Sequence, residues 1–240
     1  MKRQVRGIAD AFGQLLLDGT NPEIVERDDG FINVSKLNYF ASVGQWPSVE
    51  RRGLRWARGR VLDAGVGAGR VALELQQRGR SVVGIDVSPG AVEVARRRGV
   101  RDVRLIALED VDESLGHFDT IVMFGNNFGL FGSPAKARRL LRRLRPLADR
   151  IVAASNDPTA TDDAAHLAYQ ERNLSRGRMP GQLRLRVRYR DLTGPWFDYL
   201  IVGPDEMESI LEGTQWRIRR LLEGGERRYS GSGYYVAVLE

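Results

Sequence analysis

Residues 60 to 70 read RVLDAGVGAGR, which sets one carboxylate, Asp63, ahead of glycines at 65, 67 and 69. A second carboxylate, Asp86, ends the run SVVGID, 23 residues after Asp63. A glycine-rich turn between a strand and a helix lets a ligand approach backbone N–H groups at the helix N-terminus. The neighbouring residue types separate the ligands that use such a turn. A triphosphate loop needs a lysine followed by Ser or Thr after its glycines, and Arg70 and Val71 stand in that region. Gly67, Gly69 and Ala72 do satisfy the dinucleotide fingerprint G-x-G-x-x-A, so the glycines alone leave a nicotinamide oxidoreductase open.

The two carboxylates argue for something else. Asp63 repels a pyrophosphate and favours a cationic amine, and no Tyr-x-x-x-Lys pair is present for hydride chemistry. Asp86, at a strand end, is placed to accept both hydroxyls of a ribose. A ribose, a cationic ammonium and no phosphate together describe S-adenosylmethionine. The plain alternative is a turn that needs glycine for its backbone alone.

These residues require a sheet to hold them. RVLDAG and SVVGID are short apolar runs of the kind found in strands covered on both faces. RVALELQQRG between them predicts a helix that stops at Gly79. Ser88 and Pro89 predict the cap and first turn of a second helix, which Gly99 ends, and Ser133 with Pro134 repeats the device before AKARRLLRRLRPLA. VRLIAL, FDTIVMF and RIVAAS supply strands three to five, a βαβαβ series with helices on both faces. A helix from about Asp162 to Arg176 follows. Leu183, Leu185, Val187 and Tyr189 then alternate with Arg184, Arg186, Arg188 and Arg190, which predicts a half-buried strand returning as a hairpin through WFDYLIV, about residues 182–202. A helix around DEMESILEG precedes WRIRRLLE and YYVAVLE, read as a closing strand pair separated by the loop GGERRYSGSG. Residues 1–55 read as a mostly helical N-terminal cap, and residues 56–240 as the domain that carries the glycine turn.

Taken together, VLDAGVGAGR, VVGIDVSPGAVEVAR and FDTIVMF resemble the class I S-adenosylmethionine-dependent methyltransferases over about residues 55–240. LDAGVGAG matches the first motif of that family, [D/E]-x-G-x-G-x-G. The resemblance implies an α/β, Rossmann-like fold: a seven-stranded sheet with helices on both faces and a terminal reversed strand pair. It places Asp63 and Ala64 near the amino-acid end of S-adenosylmethionine, Gly65, Gly67 and Gly69 against its ribose and methionine portion, and Asp86 with Val87 at the ribose. Members often carry an aspartate facing adenine after strand three. IALEDV departs from this, leaving Leu108 and Glu109 as the adenine contacts, with Glu109 equally readable as a solvated loop residue. Gly125 and Asn126, after strand four, complete the cofactor set.

The acceptor is written less clearly. Methyl transfer is a displacement at an activated carbon that needs in-line positioning and exclusion of water, so no catalytic motif is obligatory. FGNNFGLFGS, residues 124–133, echoes the [N/D]-P-P-[Y/F] loop of enzymes that methylate nucleobase or glutamine amines, but both prolines are missing. Asn127 and Phe128 are nevertheless substrate candidates, alongside turn-forming roles for the asparagines. A hydroxyl acceptor is helped by a base. His117 reads as a surface residue, whereas His166 lies on the helix after strand five, and His166 and Asn127 are the catalytic candidates. Tyr39, Phe40 and Trp46 with Trp196, Phe197 and Tyr199 either wall an apolar pocket or pack the core, and Tyr39 and Trp196 join the substrate set.

Composition bounds the rest. The 240 residues are 42% hydrophobic and 28% charged, with no cysteine, which excludes disulfides and thiolate chemistry. No metal site is expected, no run spans a membrane, and the start MKRQVRGIADAFGQLLLDG lacks a secretory core, so the expected location is the cytoplasm. The net charge is +6, and among the 37 basic residues only Lys2, Lys36 and Lys136 are lysines. Arg138, Arg139, Arg142, Arg143 and Arg145 line one helix side, and the hairpin arginines one strand face. Either row reads as a solvated face or as a nucleic-acid surface. Three functions follow: a methyltransferase acting on O or N of a small molecule, an RNA or DNA methyltransferase, and a non-catalytic cofactor-binding protein. The oligomeric state stays open, a homodimer included.

Overall fold

The computed structural model describes residues 10–19, 22–36, 38–224 and 233–240. The basic start, Lys2 and most of the loop GGERRYSGSG lie outside the described residues. In chain order the helices are α1 (Ala11–Asp18), α2 (Ser48–Gly53), α3 (Arg70–Gln77), α4 (Pro89–Arg97), α5 (Pro134–Leu144), α6 (Ala164–Leu174) and α7 (Pro204–Leu211). The strands are β1 (Glu23–Arg27), β2 (Ile32–Ser35), β3 (Arg60–Ala64), β4 (Ser81–Asp86), β5 (Asp102–Leu105), β6 (Thr120–Met123), β7 (Ile151–Asn156), β8 (Gln182–Tyr189), β9 (Leu192–Thr193), β10 (Phe197–Leu200), β11 (Ile218–Glu223) and β12 (Tyr234–Leu239).

Seven strands form one sheet in the order β11-β12-β7-β6-β3-β4-β5. The five from β7 to β5 are parallel, and β12 runs antiparallel to both β7 and β11, the expected reversed pair. β3, β4, β6 and β7 carry almost continuous apolar burial because both faces are covered. Leu140, Leu141 and Leu144 of α5 with Met207 and Ile210 of α7 cover one face. Val71 and Leu75 of α3 with Val92 and Ala95 of α4 cover the other. The chain runs from β3 outward to β5, then returns to β6, so the order reverses between β3 and β6. The crevice beyond the strand ends at such a reversal is where open α/β sheets bind ligands.

The N-terminal region differs from the expected mostly helical cap. β1 and β2 form a hairpin, and β1 pairs antiparallel with β8. The result is a second sheet, β10-β8-β1-β2, with β9 added to β8. The segment 182–202 is thus one half of a sheet rather than a free hairpin. EIVER and INVS carry weak strand signals because each is short and mixes polar or charged residues with apolar ones. Only the partner strand, far along the chain, shows which face is covered.

α1 docks this region onto the larger sheet. Asp10 caps α1 by accepting from Gly13 N–H at 2.8 Å, and it also takes Ser88 Oγ at 2.9 Å and Gly90 N–H at 2.8 Å. A Cβ at Gly90 would lie 2.6 Å from Gly13 Cα, so the two helices touch backbone to backbone. Gly90→Ala is expected to lower unfolding stability by about 1–3 kcal/mol through overpacking, read from the denaturant midpoint, and to speed proteolysis within residues 10–19.

Candidate active site

The glycine turn leaves β3 and enters α3 with φ of +76°, +52° and +80° at residues 65, 67 and 69, a left-handed path open to glycine. Gly65 and Val66 N–H both donate to the Ile85 carbonyl, which ties the turn to β4. A side chain at Gly65 would strike Asn127 Nδ2 at 2.5 Å, whereas space beside Gly67 is open. Asp86 closes the arrangement: one carboxylate oxygen accepts from Gly67 N–H and the other from Ser88 N–H, each at 3.0 Å. Burial raises the Asp86 pKa against these two donors.

Asp63 is 2% exposed, and its Oδ2 has no hydrogen-bond partner. Burial pushes its carboxyl up to about 7, against the pull of Arg70. Asn126 Oδ1 and Asn156 Oδ1 are also buried without partners. All three atoms are acceptors on residues lining one cavity of about 2000 Å³. Unpaired buried acceptors of this kind call for hydrogen-bond donors, and the Asp63 carboxyl among them suits a cationic one. An ammonium meets that requirement; a phosphate does not.

The cavity gathers Asp63, Gly65, Gly67, Asp86, Val87, Leu108, Glu109, Gly125, Asn126, Asn127, Tyr39 and His166. Val87 is 69% exposed and Leu105 55% exposed, so two apolar side chains stand open where an adenine ring would lie. The Glu109 carboxylate pairs with Lys136. Asn127 Nδ2 donates to the Ala64 and Gly65 carbonyls at 3.0 Å each. That amide nitrogen is committed to holding the glycine turn, which leaves Oδ1 as the side-chain atom of Asn127 not engaged there. Four expected contacts lie elsewhere. Ala64 is fully buried within the sheet, and Gly69 backs onto Val100 as the cap of α3. Phe128 is fully buried and stacks on Phe131 at 5.0 Å, because the loop after β6 turns its ring into the core. Trp196 lies under the Arg186 guanidinium at 4.4 Å, on the sheet face away from the cavity.

Other site residues carried no signal in the sequence. Glu50, fully buried, accepts from Gly125 N–H at 3.0 Å, binds the Tyr234 hydroxyl, and pairs with Arg70 at 2.7 Å. Arg70 stacks over Trp46 at 4.6 Å. Glu50 therefore joins the glycine turn to the loop after β6, yet in SVERRG it looks like any helix-surface glutamate. The second sheet supplies the far wall, with Val25, Leu183, Leu185, Val187, Phe197 and Tyr199 facing the cavity. Their neighbours Glu26, Arg184, Arg186 and Arg188 point the other way and pair across strands. Buried Glu23 accepts from Tyr39 Oη at 2.8 Å, and burial raises its pKa. Tyr199 Oη donates to the Asn126 carbonyl at 2.6 Å and so connects the wall to the cofactor loop.

A model of the methyltransferase domain matches residues 61–148. A structure of an S-adenosylmethionine-dependent methyltransferase from Bacteroides fragilis, in complex with S-adenosyl-L-homocysteine, superposes with a TM-score of 0.79 at 26% identity. That likeness covers 97% of this chain and 94% of the other. The magnesium-protoporphyrin O-methyltransferase of Rhodobacter capsulatus is 37% identical over 67 residues, 26% of this chain and 30% of that protein's length. The 1,6-didemethyltoxoflavin-N1-methyltransferase of Burkholderia thailandensis shares the fold, with a TM-score of 0.52 at 16% identity over 82% of this chain and 80% of that one. Residues 61–148 thus carry a methyltransferase domain in a chain similar over nearly its whole length to an S-adenosylmethionine-dependent methyltransferase, and the S-adenosyl-L-homocysteine bound in that neighbour is consistent with S-adenosylmethionine as the cofactor here.

The unpaired Asp63 oxygen makes a test with a defined sign. Its folded pKa of about 7 lies above the ordinary 3.8, so the folded state binds the extra proton between those values. Stability of the ligand-free protein therefore falls as pH rises from about 4 to 7. Asp63→Asn is expected to raise the ligand-free stability at pH 8 by roughly 2–4 kcal/mol and to weaken S-adenosyl-L-homocysteine binding at least tenfold. Calorimetry of both variants across pH 5–8 checks both effects; the wild-type affinity should strengthen as pH rises through 7, and that of Asp63→Asn should not.

Proposed function

We propose that this chain transfers the methyl group to an oxygen or nitrogen of a small, largely apolar acceptor. The observation that carries this reading is the continuity of the cavity from the glycine turn to the apolar face of the second sheet. Its volume of about 2000 Å³ is well above the roughly 300–1,000 Å³ that one drug-sized ligand fills, which leaves room for an acceptor beside the cofactor. Asp63 and Asp86 hold the cofactor at its ammonium and ribose, and Val87 and Leu108 meet its adenine. Ala64, Gly69 and Phe128 act through the fold rather than by contact.

When bound, the cofactor supplies a methyl carbon activated by a sulfonium. The protein's part is to place the acceptor atom in line, at about 3–3.5 Å, and to keep water away. The face formed by Leu183, Leu185 and Val187 suits a flat apolar body. The Rhodobacter relative is named for methylation of an oxygen on magnesium-protoporphyrin, which agrees with a small acceptor.

The arginine rows do not favour a nucleic-acid acceptor. Arg138, Arg142, Arg143 and Arg145 donate to backbone carbonyls of Ser209, Gly213, Glu109, Val111 and Ala148. A basic groove of Arg52, Arg55, Arg58, Arg150, Arg219 and Arg220 lies where β3, β7 and β11 begin, at the opposite end of the sheet from the glycine turn.

Incubation with labelled S-adenosylmethionine and fractionated cell extract tests the reading. Label should enter the small-molecule fraction; label confined to nucleic acid, or absent from every fraction while the cofactor binds, would overturn it. Leu185→Lys should lower kcat/KM for that acceptor by about tenfold or more while leaving the cofactor Kd within about twofold.

A further inference from the structure

His166 stands in the first turn of α6 and lines the acceptor half of the cavity beside β1. The Phe31 ring lies 4.8 Å from the imidazole, and Arg27 Nη1 lies 3.0 Å from its Nδ1. Arg27 is itself held rigidly. It is 5% exposed, and its guanidinium sits between Phe31 at 4.7 Å and Tyr169 at 4.1 Å. Its Nε and Nη2 donate to the two Asp29 carboxylate oxygens at 2.8 Å each, and Nη2 also donates to the Ala165 carbonyl at 3.0 Å. Four of its five N–H groups are thereby directed, and one on Nη1 remains.

That grip decides the state of the histidine. A guanidinium carries donors only and does not deprotonate in proteins. Its contact at Nδ1 therefore requires the lone pair of that nitrogen, which puts the proton on Nε2. A doubly protonated ring would set N–H against N–H and cation against cation. Burial lowers the His166 pKa, and the Arg27 charge lowers it further, while Asp163 on its own helix and Asp29 on the β1 turn oppose. Behind Tyr169, Asp28 takes the tyrosine hydroxyl and pairs with Arg172. Among the described residues Nε2 has no hydrogen-bond partner.

We propose that Arg27 fixes His166 as the neutral Nε2–H form, and that this N–H receives a carbonyl or carboxylate oxygen of the methyl acceptor. His166 then orients the acceptor and takes no proton from it, and Arg27 is the positioning residue behind it. The inference rests on reading the cavity as the acceptor site. It narrows the substrate class to apolar molecules that carry an oxygen hydrogen-bond acceptor apart from the atom to be methylated.

Long-range ¹H–¹⁵N spectra of the full chain with ¹⁵N-labelled histidine read both ring nitrogens, and His117→Gln identifies the remaining signal as His166. Wild type should show a protonated Nε2 and a bare Nδ1, with a titration midpoint below the ~6.5 of ordinary histidine. An Nδ1–H pattern, or a midpoint at or above that value, overturns the proposal. Arg27→Met should mix the tautomers and raise the midpoint, and Arg27→Lys, whose ammonium also only donates, should retain the Nε2–H form. Spectra of Arg27→Met identical to wild type would remove Arg27 from the argument. If Arg27→Met does not fold, wild type and Arg27→Lys still decide.

The ligand arm uses benzoate and acetophenone, with S-adenosyl-L-homocysteine saturating, to separate a carboxylate from a carbonyl. At least one probe should shift the Nε2 proton and bind about tenfold more weakly to His166→Phe, with recovery in His166→Gln. No response to either probe overturns the recognition role. Calorimetry with S-adenosyl-L-homocysteine on the same samples reports the cofactor half separately, so a failure of the methyltransferase reading is distinguishable from a failure at His166.

Discussion

A carboxylate buried at the end of β3 with one oxygen unpaired governs how this molecule is built. Burying such a charge is costly unless it is neutralised or matched. The protein does neither in full. Arg70 is near enough to pull on Asp63, but its guanidinium is held by Glu50. The protein thus keeps a buried carboxyl whose pKa burial raises to about 7 and whose Oδ2 has no partner among the described residues. The positive-φ glycines, the Asp86 bridge and the Glu50 network are the means of holding the backbone still around that vacancy in the hydrogen bonding.

The second sheet completes the site with different physics. Its cavity face is apolar, and its outer face neutralises its own charges through Glu26, Arg186 and Arg188. Two polar pairs among those lining the cavity are Glu23 with Tyr39, and His166 with Arg27. In each pair a buried residue orders its partner, so these polar atoms are fixed in place. Tyr199 connects this wall to the Asn126 loop, so the two ends of the cavity share a hydrogen-bonded framework.

Much of the cofactor half was legible because its determinants are local. The glycine turn needs glycines within a few residues, Ser88 with Pro89 and Ser133 with Pro134 start helices by nearest-neighbour chemistry, and apolar runs mark strands buried on both faces. The alternation in β8 also assigned the right residues to the right face. What could not be read depends on partners distant in sequence. β1 finds β8 only after the whole cofactor half, so its mixed pattern carried no face assignment. Glu50 and Arg27 look like surface charges until their buried partners are known. Phe128 and Trp196 fell on the wrong side because aromatic type says nothing about which way a loop or an edge segment turns.

The second sheet is made from strands at two ends of the chain, with Glu26 and Arg186 separated by 160 residues. Until β8 is made, β1 and β2 form only a two-stranded hairpin, which is marginal alone in water. Closing so long a loop comes late and slowly in folding. The wall that this sheet forms therefore depends on pairing between β1 and β8, which lie on either side of the central strands that carry the glycine turn.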